Sequence, residues 1–207
     1  MSTRFLRCGR EAVLIEVADL TAAMALYAAL RDAALPGVID LVPAARTVLV
    51  RFDPAATSPA ALQTLVSELP ATSHHTTGGT VTIPVRYNGP DLADVAAAVG
   101  VGTDEIVTMH TAGEWTVAFT GFAPGFGYLT GGDPRLTVPR RSSPRTKIPA
   151  GSVALAGSYS GVYPNESPGG WQLIGQTTLR IWDVDREPPA LLLPGVRVRF
   201  EAVGSCG

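Results

Sequence analysis

The sequence is poor in lysine, cysteine and histidine, and each shortage excludes a class of chemistry. Of its 16 basic residues, only Lys147 is a lysine. A Schiff base or a phosphate-loop lysine would therefore have to be Lys147 itself. The two cysteines, Cys8 and Cys206, form no C-x-x-C pair, and three histidines are too few for a zinc cluster. We expect two reduced thiols and no metal site.

Long apolar runs and an excess of basic charge are also missing. The formal net charge is −2 at pH 7, which argues against a nucleic-acid surface. The start, MSTRFLRCGREAVL, has no apolar region of the kind found in signal peptides, and LTAAMALYAAL is too short to span a bilayer. We therefore expect a cytoplasmic protein that binds neither nucleic acid nor membrane.

Residues 1–80 predict a small α+β domain. β-prone runs around Gly9, and the runs IDLVP and TVLVRFDP, indicate two hairpins, and a helical pattern follows each of them. Asp19 or Thr21 can cap the first helix, and Ser58 before Pro59 begins the second. The order ββαββα predicts an antiparallel sheet with two helices on one side. The polar run TSHHTTGG at 72–79 predicts a linker, and we place the domain boundary near residue 80.

Residues 81–207 predict a β-barrel. After the strand VTIPVRY, short helices are expected at 90–99 and 103–111, and helical periodicity then ends at Glu114. Short β-prone runs follow it: EWTVAFT, SVALA, GVYP, WQLIG, TLRIW and VRVRFEAV. Many short strands joined by loops rich in glycine and proline favour a closed barrel. The longest connection is expected to run from Gly121 to Gly151.

The stretch TGFAPGFGYLTGG at 120–132 is rich in glycine but is no phosphate loop. No Gly-Lys pair occurs anywhere in the chain, and the third glycine of a dinucleotide fingerprint is missing. The stretch instead carries three aromatic residues, which are Phe122, Phe126 and Tyr128. Small-molecule sites are mostly apolar with a few inward polar groups, so we expect Phe126 and Tyr128 to shape a pocket.

The next segment, DPRLTVPRRSSPRTKIPAGS at 133–152, combines regular prolines with clustered positive charge. Its prolines prevent a helix or a central strand, so we expect an extended, ordered excursion. One interpretation is a solvated basic loop. We favour the other, in which a stiff backbone holds Arg140, Arg141 and Arg145 to bind a carboxylate or phosphate.

Three further residues are candidates for the same site, and each also has a structural interpretation. His110 is the candidate base at neutral pH, although a lone histidine is often a satisfied core residue. Glu166 is a candidate general acid or base, or else an exposed turn residue, and Gln172 is a candidate substrate contact. The chain has no G-x-S-x-G elbow, no H-E-x-x-H and no biotin-accepting lysine. Alone, it looks incomplete as an enzyme.

The sequence resembles a known family over nearly its whole length. The stretch from GFAPGFGYLTGG to WQLIGQT at 121–177, with YNGPDLADVA at 87–96 and MHTAGEWTVAF at 109–119, resembles the KipI family. Members of that family are also called B-type subunits of 5-oxoprolinase, or allophanate hydrolase subunit 1. The resemblance implies an α+β N-terminal domain followed by a cyclophilin-like β-barrel.

The same resemblance implies an activity and partners. A homologous barrel subunit (the C-type subunit of 5-oxoprolinase, or allophanate hydrolase subunit 2) and a third subunit would complete an ATP-dependent 5-oxoprolinase, a hydrolase that opens a lactam to give glutamate. ATP would bind at this chain or with a partner subunit. Two other functions stay open: inhibition of a sensor histidine kinase, and a role in a biotin-dependent urea or amide carboxylase.

Overall fold

The computed structural model describes residues 3–69 and 78–204. The chain divides into two compact units, Met1–His75 and Thr76–Gly207. Most of the run at 72–79, which we predicted to be a linker, lies outside the described residues. Within the described ranges, no helix is long and apolar enough to cross a membrane.

The first unit is a four-stranded antiparallel sheet with two helices, in the predicted order ββαββα. The sheet order is β1-β2-β4-β3. Its elements are β1 (Arg4–Arg7), β2 (Ala12–Glu16), α1 (Leu20–Ala33), β3 (Val38–Pro43), β4 (Thr47–Phe52) and α2 (Pro59–Glu68). Asp19 and Ser58 cap the two helices by accepting hydrogen bonds from the amides of Ala22 and Ala61, at 2.8 and 3.2 Å.

Alternation along the strands explains why both helices lie on the same face of this sheet. Side chains of successive strand residues point to opposite faces. Alternate residues of β2 and β4 are therefore buried together, and Leu30 of α1 and Leu62 of α2 join the same core cluster. The strand residues of that cluster are Val13, Ile15, Val48, Val50 and Phe52.

The second unit contains a seven-stranded, barrel-like sheet and two helices. The sheet order is β12-β9-β10-β7-β6-β13-β5, and the small strands β8 and β11 pair separately. The elements are β5 (Thr80–Val85), α3 (Leu92–Val99), α4 (Thr103–Ala112), β6 (Trp115–Thr120), β7 (Gly127–Thr130), β8 (Arg145–Ile148), β9 (Ser152–Ala156), β10 (Tyr159–Val162), β11 (Ser167–Gly169), β12 (Gln172–Gln176) and β13 (Arg197–Ala202).

The two outer strands of this sheet approach each other, so the barrel is nearly closed. Arg86, just after β5, and Gln176, at the end of β12, exchange two backbone hydrogen bonds of 2.9 Å. Gly175 permits this approach, because a Cβ there would lie 2.6 Å from the carbonyl oxygen of Arg86. We call the junction between β5 and β12 the seam. The predicted α+β class with a barrel is confirmed.

Strand β9 is buried on both faces, and this positions the proline-rich segment. Val153 and Leu155 belong to the barrel core, whereas Ala154 and Ala156 belong to a second cluster on the opposite face of the sheet. That second cluster also contains Ile148 of β8 together with Phe126, Tyr163, Trp171 and Leu173. The proline-rich segment therefore covers the outer face of the barrel sheet.

Two sequence expectations for this unit were wrong. The connection from Gly121 to Gly151 contains β7, β8 and a short 3-10 turn, Pro134–Leu136. The run TLRIW forms no strand, and only Trp182 makes an isolated bridge, to Ala190. The Arg186 side chain donates hydrogen bonds to the carbonyls of Arg180 and Ile181, at 3.1 and 3.0 Å. These contacts satisfy the carbonyl groups that a strand ladder would otherwise use.

Candidate functional site

The proline-rich segment is ordered because the barrel holds its backbone at several points. The amide of Arg141 donates to the carbonyl of Gly170 at 2.8 Å. Gln172 donates its side-chain amide to the carbonyl of Pro139 at 3.2 Å. Val138 exchanges backbone hydrogen bonds with Gly157, at 3.2 and 2.7 Å. Gln172, which we predicted to contact substrate, therefore positions this segment.

Arg141 and Arg145 bind a carboxylate, but it belongs to the chain itself. Arg141 Nη1 donates to Asp91 Oδ1 at 2.6 Å. Arg145 forms a bidentate pair with Asp91, at 2.8 Å from Nη1 to Oδ2 and 2.7 Å from Nη2 to Oδ1. The backbone amide of Leu173 in β12 also donates to Asp91 Oδ2, at 2.7 Å. We call this group of residues the Asp91 clamp.

The clamp corrects the expected role of these two arginines. Asp91 is 1% exposed, so the proline-rich segment is held to the barrel by a buried carboxylate. Burial by itself would raise the pKa of Asp91, but the hydrogen bonds from Arg145 and Leu173 and the arginine charges lower it below its usual value. Arg141 and Arg145 are therefore structural ligands of Asp91 before they can serve any external anion.

The third predicted arginine, Arg140, is exposed. In the part of the chain that the structure describes, no ion pair involves it. Burial raises the pKa of Tyr163, while the charges of Arg140 and Arg145 act in the opposite direction. Arg140 is thus close enough to the Tyr163 phenol to influence it, and it remains available to a ligand or partner.

The aromatic residues near Gly125 form a packed cluster with one exposed member. Phe126 is 1% exposed and lies edge-on to Tyr163 and Trp171, with ring centroids 5.3 Å apart in each pair. Tyr128 is half-buried and stacks on Phe119 at 4.4 Å. Phe126, which we predicted to line a pocket, is therefore a core residue beneath the proline-rich segment.

Phe122 differs from both of its aromatic neighbours. It is 58% exposed, and its φ of +68° lies in the left-handed region that bulky residues rarely adopt. A hydrogen bond of 2.8 Å from the amide of Ala123 to the carbonyl of Gly121 closes the tight turn that contains it. Strained backbone conformations of this kind cluster at functional sites. Sequence analysis did not select Phe122 as a site residue.

His110 lies in the barrel core, as in the structural interpretation that the sequence left open beside the catalytic one. It is 0% exposed, and its ring nitrogens form hydrogen bonds with Tyr87 Oη at 2.7 Å and Ser160 Oγ at 2.8 Å. Burial lowers its pKa to about 3, so the ring is neutral at physiological pH. The histidine is thus sealed away from any substrate that approaches from solvent.

Glu166 is exposed and pairs with the single lysine of the chain. Lys147 Nζ lies 3.0 Å from Glu166 Oε2, and the two side chains are 69% and 55% exposed. Glu166 belongs to neither the His110 network nor the Asp91 clamp. The structure therefore does not bring the two predicted catalytic residues, His110 and Glu166, together.

A cavity of about 200 Å³ lies at the seam, beside the Asp91 clamp. Its lining residues include the cationic Arg145 and Lys147 and the amide-bearing Asn88 and Gln176. The apolar residues Pro149 and Leu173 also belong to the lining. We call this the seam cavity. Of the residues expected at the site, only Arg145 lines it.

Sequence reasoning missed Asp91 and Lys147. Asp91 lies 50 positions before Arg141, so no local pattern links the two residues. One signal was available: three arginines fall within residues 140–145, and these six residues contain no carboxylate to balance them. Because buried charges are normally paired, an acidic partner elsewhere in the chain could have been expected.

Comparison with known proteins identifies the family. Residues 3–192 match the carboxyltransferase domain family, subdomains C and D. The chain belongs to this family. It is also 37% identical to the B-type subunit of 5-oxoprolinase from Bacillus subtilis (strain 168), over 96% of this chain and 88% of that protein. The resemblance stated from the sequence motifs is therefore confirmed.

Solved structures share the fold of this chain. The crystal structure of TTHA0988 superposes with a TM-score of 0.80 and 36% identity, over 94% of this chain and 40% of that one. The family member described here thus spans less than half of TTHA0988. The Kluyveromyces lactis urea amidolyase superposes with a TM-score of 0.73 but only 20% identity, over 97% of this chain and 15% of that one. The latter likeness concerns the fold alone.

Proposed function

We propose that this chain is the B-type subunit of an ATP-dependent 5-oxoprolinase. It would act with a homologous barrel subunit and a third subunit to open the lactam of 5-oxoproline and give glutamate. The observation that carries the proposal is the 37% identity to the corresponding 5-oxoprolinase subunit of Bacillus subtilis over 96% of the chain. A match of that extent includes both compact units.

The chemistry of the reaction agrees with the arginines clustered at residues 140–145 of the barrel unit. A lactam is a resonance-stabilised amide and a poor electrophile. Transfer of a phosphoryl group from ATP to its carbonyl oxygen would create a leaving group, and water could then open the ring. Negative charge develops on the phosphoryl group, and fixed guanidinium groups stabilise such charge. Arg140 is the exposed candidate for this role, and we assign ATP binding to the assembled complex.

Reconstitution tests the proposal. The chain would be co-expressed with the homologous barrel subunit and the third subunit from the same genome, and ATP hydrolysis and glutamate would be measured. We expect ATP consumption only when 5-oxoproline is present, with glutamate formed in proportion. The chain alone should show neither activity. Equal ATP consumption with and without 5-oxoproline would contradict the proposal.

A second candidate is a subunit of a biotin-dependent urea or amide carboxylase. The family description, carboxyltransferase domain, favours it, as does the fold shared with urea amidolyase. Biotin on a co-purified partner and ATP use that requires bicarbonate would support this alternative. In the same reconstitution, ATP use that needs 5-oxoproline but no bicarbonate would exclude it.

A further inference from the structure

The seam cavity has the residues of a small anion site that also recognises an amide. Arg145 and Lys147 supply positive charge, and Asn88 and Gln176 supply amide groups that can both donate and accept hydrogen bonds. Such a set suits a ligand with a carboxylate at one end and an amide at the other. Pro149 and Leu173 offer an apolar surface to the carbon atoms of such a ligand.

The size of the cavity restricts the ligand further. Sites for drug-sized molecules usually measure about 300–1,000 Å³. The seam cavity, at about 200 Å³, is smaller than this range. It therefore suits a single small ring that carries an acid group and is too small for a nucleotide.

Arg145 is fixed in place before any ligand arrives. Two of its N–H groups bind the carboxylate of Asp91, at 2.8 and 2.7 Å, so the guanidinium cannot turn away from the cavity at low cost. A guanidinium has five N–H donors, and no acceptor other than Asp91 is bonded to Arg145 among the described residues. A donor held in advance loses little entropy on binding.

The charges around the cavity leave room for one further anion. Three cations, Arg141, Arg145 and Lys147, face two anions, Asp91 and Glu166. The excess is one positive charge, which one carboxylate would neutralise. Asp91 is held by both arginines and by the amide of Leu173, whereas Glu166 is held only by an exposed ion pair with Lys147.

The ion pair of Lys147 is the part of the site that can change partners. Both side chains are mostly exposed, and exposed pairs contribute little free energy. Lys147 can therefore exchange the Glu166 carboxylate for the carboxylate of a ligand at low cost. In this arrangement Glu166 competes with the ligand for the same ammonium group.

We propose that the seam cavity binds a small cyclic amide acid, whose carboxylate takes the place of Glu166 on Lys147. The proposal deepens the proposed function and rests on it for the choice of ligand. It assigns substrate binding to Lys147 and Asn88, and it makes Glu166 a competitor instead of a general acid or base.

The first test measures binding of 5-oxoproline to the purified full-length chain by isothermal titration. We expect binding by the wild type, with 2-pyrrolidinone, the same ring without its carboxylate, binding at least tenfold more weakly. Lys147→Gln should weaken 5-oxoproline binding at least fivefold, and Lys147→Arg should restore most of it. Glu166→Gln should strengthen binding about two- to fivefold.

A matched control separates the cavity from general charge effects. Arg180 is 79% exposed and also pairs with one carboxylate, at 3.5 Å from Asp183, but it does not line the cavity. Arg180→Gln removes the same charge as Lys147→Gln and should leave the Kd unchanged. The proposal is wrong if the wild type does not bind 5-oxoproline, or if Lys147→Gln and Glu166→Gln shift the Kd in the same direction.

A second test separates this proposal from the proposed function. In the reconstituted complex, Lys147→Gln should raise the KM for 5-oxoproline at least fivefold. If the complex turns over 5-oxoproline with an unchanged KM, the cavity proposal fails and the function stands. If the isolated chain binds 5-oxoproline through Lys147 but the complex never hydrolyses it, the function fails and the cavity stands.

Discussion

Two polar networks in the barrel unit differ in charge, because their buried central residues, Asp91 and His110, have different partners. In the Asp91 clamp, the side chains of Arg141 and Arg145 are 31% and 24% exposed, and the groups keep their charges. In the network around His110, the histidine and Ser160 are 0% exposed. Burial there lowers the pKa of His110 to about 3, so the network is neutral.

The difference indicates which network can meet a ligand. A buried ion keeps its charge when charged partners compensate for the lost solvation, as Arg141 and Arg145 do for Asp91, whereas His110 has only neutral hydroxyl partners and stays uncharged. The clamp therefore offers fixed charge near the surface, beside the seam cavity. The His110 network is closed to solvent and contributes to the stability and the unique packing of the core.

The largest expected effect is the loss of the clamp carboxylate. Asp91→Asn leaves two guanidinium groups facing a neutral amide, and removing one partner of a buried ion pair costs about 3–5 kcal/mol. We expect a fall of that size in the free energy of unfolding of the barrel unit, measured by urea denaturation. Asp94→Asn, an exposed change in α3, which begins directly after Asp91, is the control and should cost less than about 0.5 kcal/mol. Equal free energies of unfolding for the two variants would contradict a stabilising role of the Asp91 clamp.

The neutral network should give a smaller loss. His110→Leu removes the hydrogen bond to Ser160 and leaves that buried hydroxyl without the histidine, which costs about 2 kcal/mol. Because the two residues are in contact, the double variant with Ser160→Ala should be less destabilised than the sum of the single variants, by about 1 kcal/mol. Additive free energies of unfolding would show that the two residues are not coupled.

The pH dependence of stability distinguishes the networks. The pKa of His110 is about 3 in the folded state and about 6.5 when unfolded, so the unfolded chain binds the extra proton between these values. Stability should therefore fall by about 1 kcal/mol between pH 7 and pH 5.5 in the wild type, relative to His110→Leu. The pKa of Asp91 is lowered in the folded state. Its contribution to the free energy of unfolding is therefore lost only at still lower pH, below the usual aspartate range. Identical pH profiles for the two proteins would refute the assignment for His110.

The smallest effect is expected at Phe122. Phe122→Gly places a glycine in the left-handed conformation, which stabilises the folded state by about 1 kcal/mol. It also removes edge contacts with Phe126 and Tyr163, which destabilises the folded state by about 1 kcal/mol. We expect the free energy of unfolding to change by less than about 1 kcal/mol. Phe126→Ala, in the same turn but fully buried, should cost about 3–5 kcal/mol. A large fall in the free energy of unfolding of Phe122→Gly would show that Phe122 is a core residue.

Some errors of the sequence analysis have a common physical cause. Strand β7 was missed because glycine and aromatic residues gave it the composition of a loop. Glycine suits position 127 of this strand because a Cβ there would lie only 3.1 Å from the Cβ of Leu192, a residue far along the chain. The run TLRIW has strand composition, but Arg186 takes its carbonyl groups instead. In each case a side chain outside the run decided the local structure.

The sequence alone determined the order of the elements and the two helix caps of the first unit, and it determined the family, since these depend on local spacing and on long motifs. Tertiary structure decided which carboxylate Arg141 and Arg145 bind, that His110 is buried, and that Lys147 lines the seam cavity with Arg145. These outcomes depend on contacts between residues as far as 54 positions apart, as for Asp91 and Arg145. Charge and composition reveal that such groups need partners, but only the folded barrel determines which partners they find.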